Sequence, residues 1–582
     1  MAKQAALSPT LLRWSEHVPA SDVQDPLGLG LRGSTRLASR LLFCITSITP
    51  RARYFSFLPW CVQDWQKREK GRPFALGLRD AIVLREKALT LGCIAHHDGK
   101  PCEGGALVGS VNVTKWFEKG QSEIDLRKLP FAKNPALGAY LNSLVNLGFF
   151  VETETVADSD EDSDVATLDD LELSPLGKQL ADGYESLVGR LESVRNLSTA
   201  RRHCTVRSLS ELGKRGGLCE LAEPAAPDRQ LLREIFFARQ GVESESHPVR
   251  KRSLLLILEL CRQLAKKGWA LDESAIGAAV YFGEVLSDED KRLGIEWPEP
   301  LRDIATRWRM FYFHHYMSVA LEGMFAWLVT QVAGRGVTGS SVNELTEALS
   351  SATVPKTLAD LYKIRFPGPF GTSTPSAVFQ RFAGAPDELD PETSRLLDDK
   401  IRATSTLSEA RLESMIRSGE YLQAPTGLAI PMLLLGLTLG RYTQWEGTDY
   451  GHWLANASTD PYLDIVPPVL TAGLTRRFGQ WWNCSWIELT EFVLSRYVVQ
   501  QHQSMSYVKT AAGERCLLQV DGPKIISSAA YDKIGMGNPR FGRAVSILKD
   551  LALLADDADG VTVVTADGLR ILEEELAKEG RA

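Results

Sequence analysis

A segment near residue 134 of this chain returns, in pattern, near residue 538. Shifting the sequence by 404 residues lays Asn134-Pro135 on Asn538-Pro539, Gly138 on Gly542, Leu144 on Leu548 and Leu147 on Leu551. In the first copy Leu137, Leu141, Leu144 and Leu147 share one helical face; in the second, Phe541, Val545, Leu548 and Leu551 do. Gly148 stops the first helix, and Phe149, Phe150 and Val151 read as a strand. In the second copy Leu553-Leu554, an acidic turn (ADDADG) and VTVVT read as two strands. On the far side Ser174-Pro-Leu-Gly177 matches Thr565-Ala-Asp-Gly568, the opening of a further helix in each copy.

Helix, short strand, loop and second strand is the order of a winged helix. The repeat therefore predicts a mainly α, multi-domain protein with two winged-helix units, near residues 125–190 and 525–582. The wing of the first is long and acidic. Between Glu152 and Glu172 there are ten acidic residues and no Lys or Arg, and without that stretch the formal charge of −7 becomes +3. The acidity is local, so a surface facing nucleic acid elsewhere stays open. Around the two units the expected divisions are a helical segment over 1–124, the first unit over 125–190, helical segments over 191–380 and 381–524, and the second unit over 525–582. LLLILELCRQLAKKGWALDE, the stretch from Pro300 to Val332, and TLSEARLESMIRSGEYLQA carry the 3.6-residue period.

A chain of 582 residues with 44% hydrophobic and 24% charged residues has material for several cores, and its composition excludes collagen, coiled coil and disulfide mini-protein. No apolar run reaches the ~18 residues of a membrane span, and MAKQAALSPTLLRWSEH lacks the layout of a secretion signal. A cytoplasmic protein with no membrane partner is expected. Nine scattered cysteines without a C-x-x-C fit reduced thiols. Cys93, His96, His97 and Cys102 have ligand types that zinc accepts, but lie in text that reads as a polar loop. No cofactor is expected: phosphate-cradling G-x-x-x-x-G-K-[ST], G-x-S-x-G and H-E-x-x-H are all absent.

Candidate nucleic-acid contacts come from cations. On the polar face of the repeated helix the second unit offers Arg540, Arg543 and Lys549, and the first Lys133, Asn142 and Asn146. The second is thus the better candidate for double-stranded DNA, while the first equally suits protein docking. Arg51 and Arg53 stand among Tyr54, Phe55, Phe57 and Trp60, a mixture that grips phosphates and stacks bases. The competing reading buries them, paired with an acid such as Asp25 or Asp64. Arg476 and Arg477 adjoin a tryptophan cluster, and Arg195, Arg201, Arg202, Arg207, Lys214 and Arg215 form a cationic run. Arg309 and His314 are spaced as in HEPN-type ribonucleases, a phosphate-binding cation beside a general base. Their aromatic surroundings also fit an ordinary core helix.

DPLGLGLRGSTRLASRLLFCITSITPRARYFSFLPW, WRMFYFHHYMSVALEGMFAWL, and RFGQWW, QHQSMSYVK and NPRFGRAVSILKDLALL together resemble a family of large bacterial proteins encoded in antiphage-defence neighbourhoods. The resemblance covers both ends and one central helix; Phe43-Cys44 stands where family members read Pro-Gly. It implies a defence component acting beside a helicase, nuclease or methyltransferase subunit, and supplies no catalytic residues. The resulting expectation is a non-enzymatic DNA-binding or scaffolding subunit of an antiphage system. The alternatives are an effector ribonuclease built on Arg309 and His314, or a protein–protein adaptor.

Overall fold

The computed structural model describes residues 25–29, 34–101, 107–151, 171–224, 226–238, 246–287, 291–350, 374, 409–445, 483–510, 516–527, 531, 534 and 537–580. They are mainly helical, and each sheet among them is a two-stranded antiparallel pair. The chain divides into two compact units. One comprises Ser34–Phe313, Asn456–Ile465 and Asn538–Ala582; the other Met1–Gly33, His314–Ala455 and Val466–Gly537.

The larger unit begins with α1 (Arg36–Leu41), α2 (Tyr54–Arg68), α3 (Leu78–His96), α4 (Ser110–Phe117) and α5 (Ala136–Asn146). It continues with α6 (Pro175–Val188), α7 (Glu192–Leu197), α8 (Val206–Gly216), α9 (Pro227–Phe236), α10 (Ser246–Ala265) and α11 (Glu273–Phe282). Helix α12 (Glu299–Ala333) belongs to this unit up to Phe313 and to the other from His314. Strand β1 (Glu123–Asp125) pairs with β4 (His203–Thr205), β2 (Phe150–Val151) with β3 (Glu172–Leu173), and β5 (Glu284–Leu286) with β6 (Arg292–Gly294).

Helix α2 is central: Tyr54 to Trp65 is buried without interruption, its aromatic and aliphatic side chains together with Ser56, Gln63 and Asp64. Each of its large side chains contributes about 1.5–3 kcal/mol on burial. Helices α3 and α8 cross at Gly92 and Gly213, where a Cβ on Gly213 would stand 2.1 Å from the Gly92 carbonyl oxygen. Only glycine permits that approach. Charge is buried here too. The guanidinium of Arg85 bonds Asp64 at 2.6 Å and Glu69 at 2.9 Å, and Arg202 reaches Glu69 at 3.1 Å. Removing one member of such a network leaves a buried charge uncompensated, at a cost of about 3–5 kcal/mol.

In the other unit the remainder of α12 is joined by α13 (Val342–Ser350), α14 (Glu409–Ser418), α15 (Ala429–Trp445), α16 (Trp486–Val493) and α17 (Gln500–Thr510). A hairpin of β7 (Leu518–Asp521) and β8 (Lys524–Ser527) follows. His502 organises this region: its Nε2 accepts from the Leu517 and Leu518 amides at 3.2 and 3.3 Å, and its ring lies 4.7 Å from that of Phe325. Among the described residues no helix is long and apolar enough to cross a membrane.

Candidate nucleic-acid interface

The two sequence repeats fold alike, both inside the larger unit. The first is α5, β2, β3 and α6. The second is α18 (Phe541–Asp550), β9 (Leu554–Asp556), β10 (Thr562–Val564) and α19 (Ala566–Glu579). The correspondence extends to single hydrogen bonds. Each first helix ends in a left-handed residue, Gly148 (φ 73°) or Ala552 (φ 54°). The next amide then turns back to the helix, Phe149 N–H to Leu144 and Leu553 N–H to Leu548. Ser174 caps α6 by accepting from Gly177 N–H, as Thr565 caps α19 by accepting from Gly568 N–H. The same two hydroxyls donate back to the carbonyls of Gly148 and Ala552.

Both first helices face inward and converge on the N-terminus of α2. From α5, the Tyr140 hydroxyl accepts from Arg51 N–H at 3.1 Å and donates to the Arg51 carbonyl at 3.2 Å. From α18, the Asp550 carboxylate accepts from Ala52 N–H at 2.8 Å and grips the Arg51 guanidinium at 3.0 and 2.9 Å. A carboxylate here meets unpaired amides and the positive end of the α2 dipole. Burial raises the pKa of Asp550, against the opposing pull of Arg51. Arg53, wholly buried, bonds Asp228 of α9 and donates to the Gly217 carbonyl at 2.7 Å.

These contacts correct the phosphate-gripping expectation for Arg51 and Arg53: both are internal ties. Acids from far along the chain, Asp550 and Asp228, hold them. Asp25 accepts from Leu29 N–H, while Asp64 holds Arg68 and Arg85.

Arg540 is likewise corrected. It is 7% exposed, sits at φ 64° as the residue before α18, and donates to the Ile45 carbonyl at 3.0 Å and Ser39 Oγ at 2.8 Å. Burial brings its pKa down to about 10, which still leaves it cationic at neutral pH. Arg543 is exposed and donates to the Ser47 carbonyl at 2.9 Å, and Lys549 pairs with Asp556 at 2.6 Å. Lys133, Asn142 and Asn146 are exposed on or beside α5. Arg476 and Arg477, and the acidic stretch 152–170, lie outside the described residues.

The exposed cations gather elsewhere, on the α7–α8 segment. Arg190, Arg195, Arg201, Arg207, Lys214 and Arg215 are all exposed, with Glu192 and Glu211 interspersed. Arg202, the third member of the run read from the sequence, is instead buried against Glu69.

Both ribonuclease candidates lie on α12, Arg309 half-buried and His314 buried. Arg309 donates from Nε to the Val280 carbonyl at 3.1 Å. His314 is 1% exposed, and burial together with His315 pushes its pKa down to about 4. An enclosed, neutral imidazole matches the core-helix reading of this segment. Of the zinc candidates, Cys93 is buried within α3, His96 ends that helix with His97 next to it, and Cys102 lies outside the described residues. The ties that sequence reasoning missed, Asp550, Asp228 and Glu86, are isolated acids whose partners are distant in the chain. No family model, curated protein or solved structure matches this chain.

Proposed function

We propose that this chain is a non-enzymatic scaffolding subunit of a multi-subunit assembly, in the antiphage-defence setting that its sequence resemblance implies. Its two helix–hairpin–helix repeats are winged-helix units used as internal building blocks, not as readers of a DNA groove. One observation carries the reading. The helix that a DNA-reading winged helix lays in the groove is, in both units, packed against the start of α2. In the second unit Arg540 is spent on a backbone carbonyl and a serine of the same molecule.

The partners are then other protein subunits, bound through surfaces outside these helices. The test is fluorescence anisotropy with short double-stranded DNA, single-stranded DNA and RNA at ~50 and ~200 mM salt. A scaffold of this kind gives no salt-sensitive binding that depends on α18, so Arg543→Glu and Lys549→Glu leave every titration unchanged. Loss of binding in either variant sinks the reading.

A second reading has its own observation, the exposed cations of the α7–α8 segment. If this face neutralises phosphates, wild-type binding falls steeply with salt. Arg207→Glu with Lys214→Glu then abolishes it, while Arg543→Glu does not.

A further inference from the structure

The C-terminus of α3 and the 3-10 turn Cys219–Ala222, which follows α8, bring four metal-ligating side chains together. His96 Nε2 lies 3.5 Å from Glu220 Oε1. His97 Nε2 lies 3.1 Å from Cys219 Sγ, and that sulfur is 3.5 Å from the same Glu220 oxygen. One ligand atom from each of His96, His97 and Glu220 falls within 4.8 Å of the others. His97 and Cys219 are 122 positions apart in sequence. The fold makes this cluster, and no local spacing announces it.

We propose that His96, His97, Cys219 and Glu220 form a zinc site that clamps the end of α3 to the turn after α8. Zinc accepts imidazole nitrogen at about 2.0–2.1 Å, carboxylate oxygen at about 2.0–2.2 Å and thiolate at about 2.3 Å, in a tetrahedron. Neighbouring ligand atoms around such an ion stand about 3.3–3.7 Å apart. Three of the six edges, at 3.1, 3.5 and 3.5 Å, fall close to that length. The mixture of two nitrogens, a sulfur and an oxygen suits borderline zinc, whereas calcium and magnesium take oxygen ligands.

The four residues are all half-buried, which shields the ion yet leaves it a path in. Their backbones are held by the close Gly92–Gly213 crossing of α3 and α8, one turn from the histidines. His96, His97 and Glu220 are thus placed before the ion arrives, and Cys219 closes on it from beside His97 and Glu220. Binding converts the Cys219 thiol to thiolate, and its proton leaves to solvent. Of the residues that the sequence offered for zinc, the site keeps His96 and His97; Cys93 is turned into the core, and Cys219 and Glu220 take the remaining places.

The experiment uses the full chain stripped of metal with a chelator. Zinc is titrated in against a chromophoric competitor, and cobalt is substituted in parallel. The expected result is one equivalent bound in competition, a rise in melting temperature with zinc, and a near-ultraviolet thiolate-to-cobalt band. Cys219→Ser removes the band. His96→Ala with His97→Ala removes the bound equivalent and the shift in melting temperature. All three side chains are partly exposed, so the variants fold, which their metal-free circular dichroism verifies. Failure to compete for zinc overturns the proposal. So does binding that survives loss of both histidines, or a cobalt complex with no thiolate band.

Discussion

The two repeats carry the same caps, the same left-handed stop and the same hairpin, yet they are fastened to the molecule by different forces. In the first repeat, helix α5 is held through a tyrosine hydroxyl and a buried glutamate, Glu86, whose two oxygens accept from Ala136 N–H at 3.0 and 3.1 Å, and α6 adds the Tyr184 hydroxyl on the Gly216 carbonyl and a half-buried pair of Glu185 with Arg68. The α18 repeat is held by more numerous and more deeply buried ion pairs. Asp550 takes Arg51, Arg233 reaches Asp567 and the carbonyls of Leu551 and Ala552, and Lys251 and Arg252 pair with Glu579 of α19. The difference teaches that the local layout fixes a repeat's internal bonds, while its docking is set by residues free to vary around the frame. A cation on the groove-facing side is therefore no evidence of a groove.

The strongest test exploits one equivalent pair of positions. Asp550 and Asn146 are the last residues of α18 and α5 and superpose under the 404-residue shift, but Asp550 is buried and Asn146 exposed. Asp550→Ala strands the Arg51 guanidinium and the Ala52 amide in the interior, at an expected cost of about 3–5 kcal/mol in chemical denaturation. Asn146→Ala is expected to stay within about 0.5 kcal/mol of wild type. Equal effects at the two positions would show that the ion pair is not what seats the second repeat.

Where the repeats agree, mutation should hurt both alike. A Cβ on Gly177 would stand 2.1 Å from the Phe149 carbonyl oxygen, and one on Gly568 2.3 Å from that of Leu553. Backbone cannot yield as a side chain can. Gly177→Ala and Gly568→Ala are each expected to destabilise by about 1–3 kcal/mol. A large effect at one and none at the other in thermal melts would break the structural equivalence. Tyr140→Phe comes next, at about 1–2 kcal/mol, because it deletes the hydroxyl that serves both the amide and the carbonyl of Arg51. Its counterpart in the second repeat is the buried Ala544, so this contact is peculiar to the first.

Much of this was legible in the sequence. The 3.6-residue period gave the helices, and the Ser174 and Thr565 turns gave the caps, because both signals are local and fixed by backbone geometry. Helix α3 runs on to His96, into text that reads in the sequence as a polar loop. What the sequence could not give is pairing at a distance. An arginine among aromatics reads the same whether it meets a phosphate or an aspartate 499 residues away, as Arg51 does. The zinc-type cluster was half legible for the same reason: His96 and His97 adjoin in sequence, while Cys219 and Glu220 reach them only through the α3–α8 crossing.

The smallest expected effect concerns the loop that separates the two repeats most in sequence. Residues 152–171 join β2 to β3, whereas 557–561 suffice between β9 and β10. The second repeat thus demonstrates that the hairpin closes over a short turn with the same flanking bonds. Deleting residues 157–170 from the first is expected to leave the fold intact and to stabilise it by about 1 kcal/mol, the closure entropy of the longer loop. Nucleic-acid binding separates two roles for the ten acids in this region. If they shield a cationic surface such as the α7–α8 face, deletion tightens binding, most at low salt, because the competing negative charge is gone. Unchanged or weaker binding sinks the shielding role and leaves the acidic loop as a surface offered to protein partners. A loss of stability on deletion would instead mean that the loop packs against the unit, and that the two hairpins are less alike than their bonds imply.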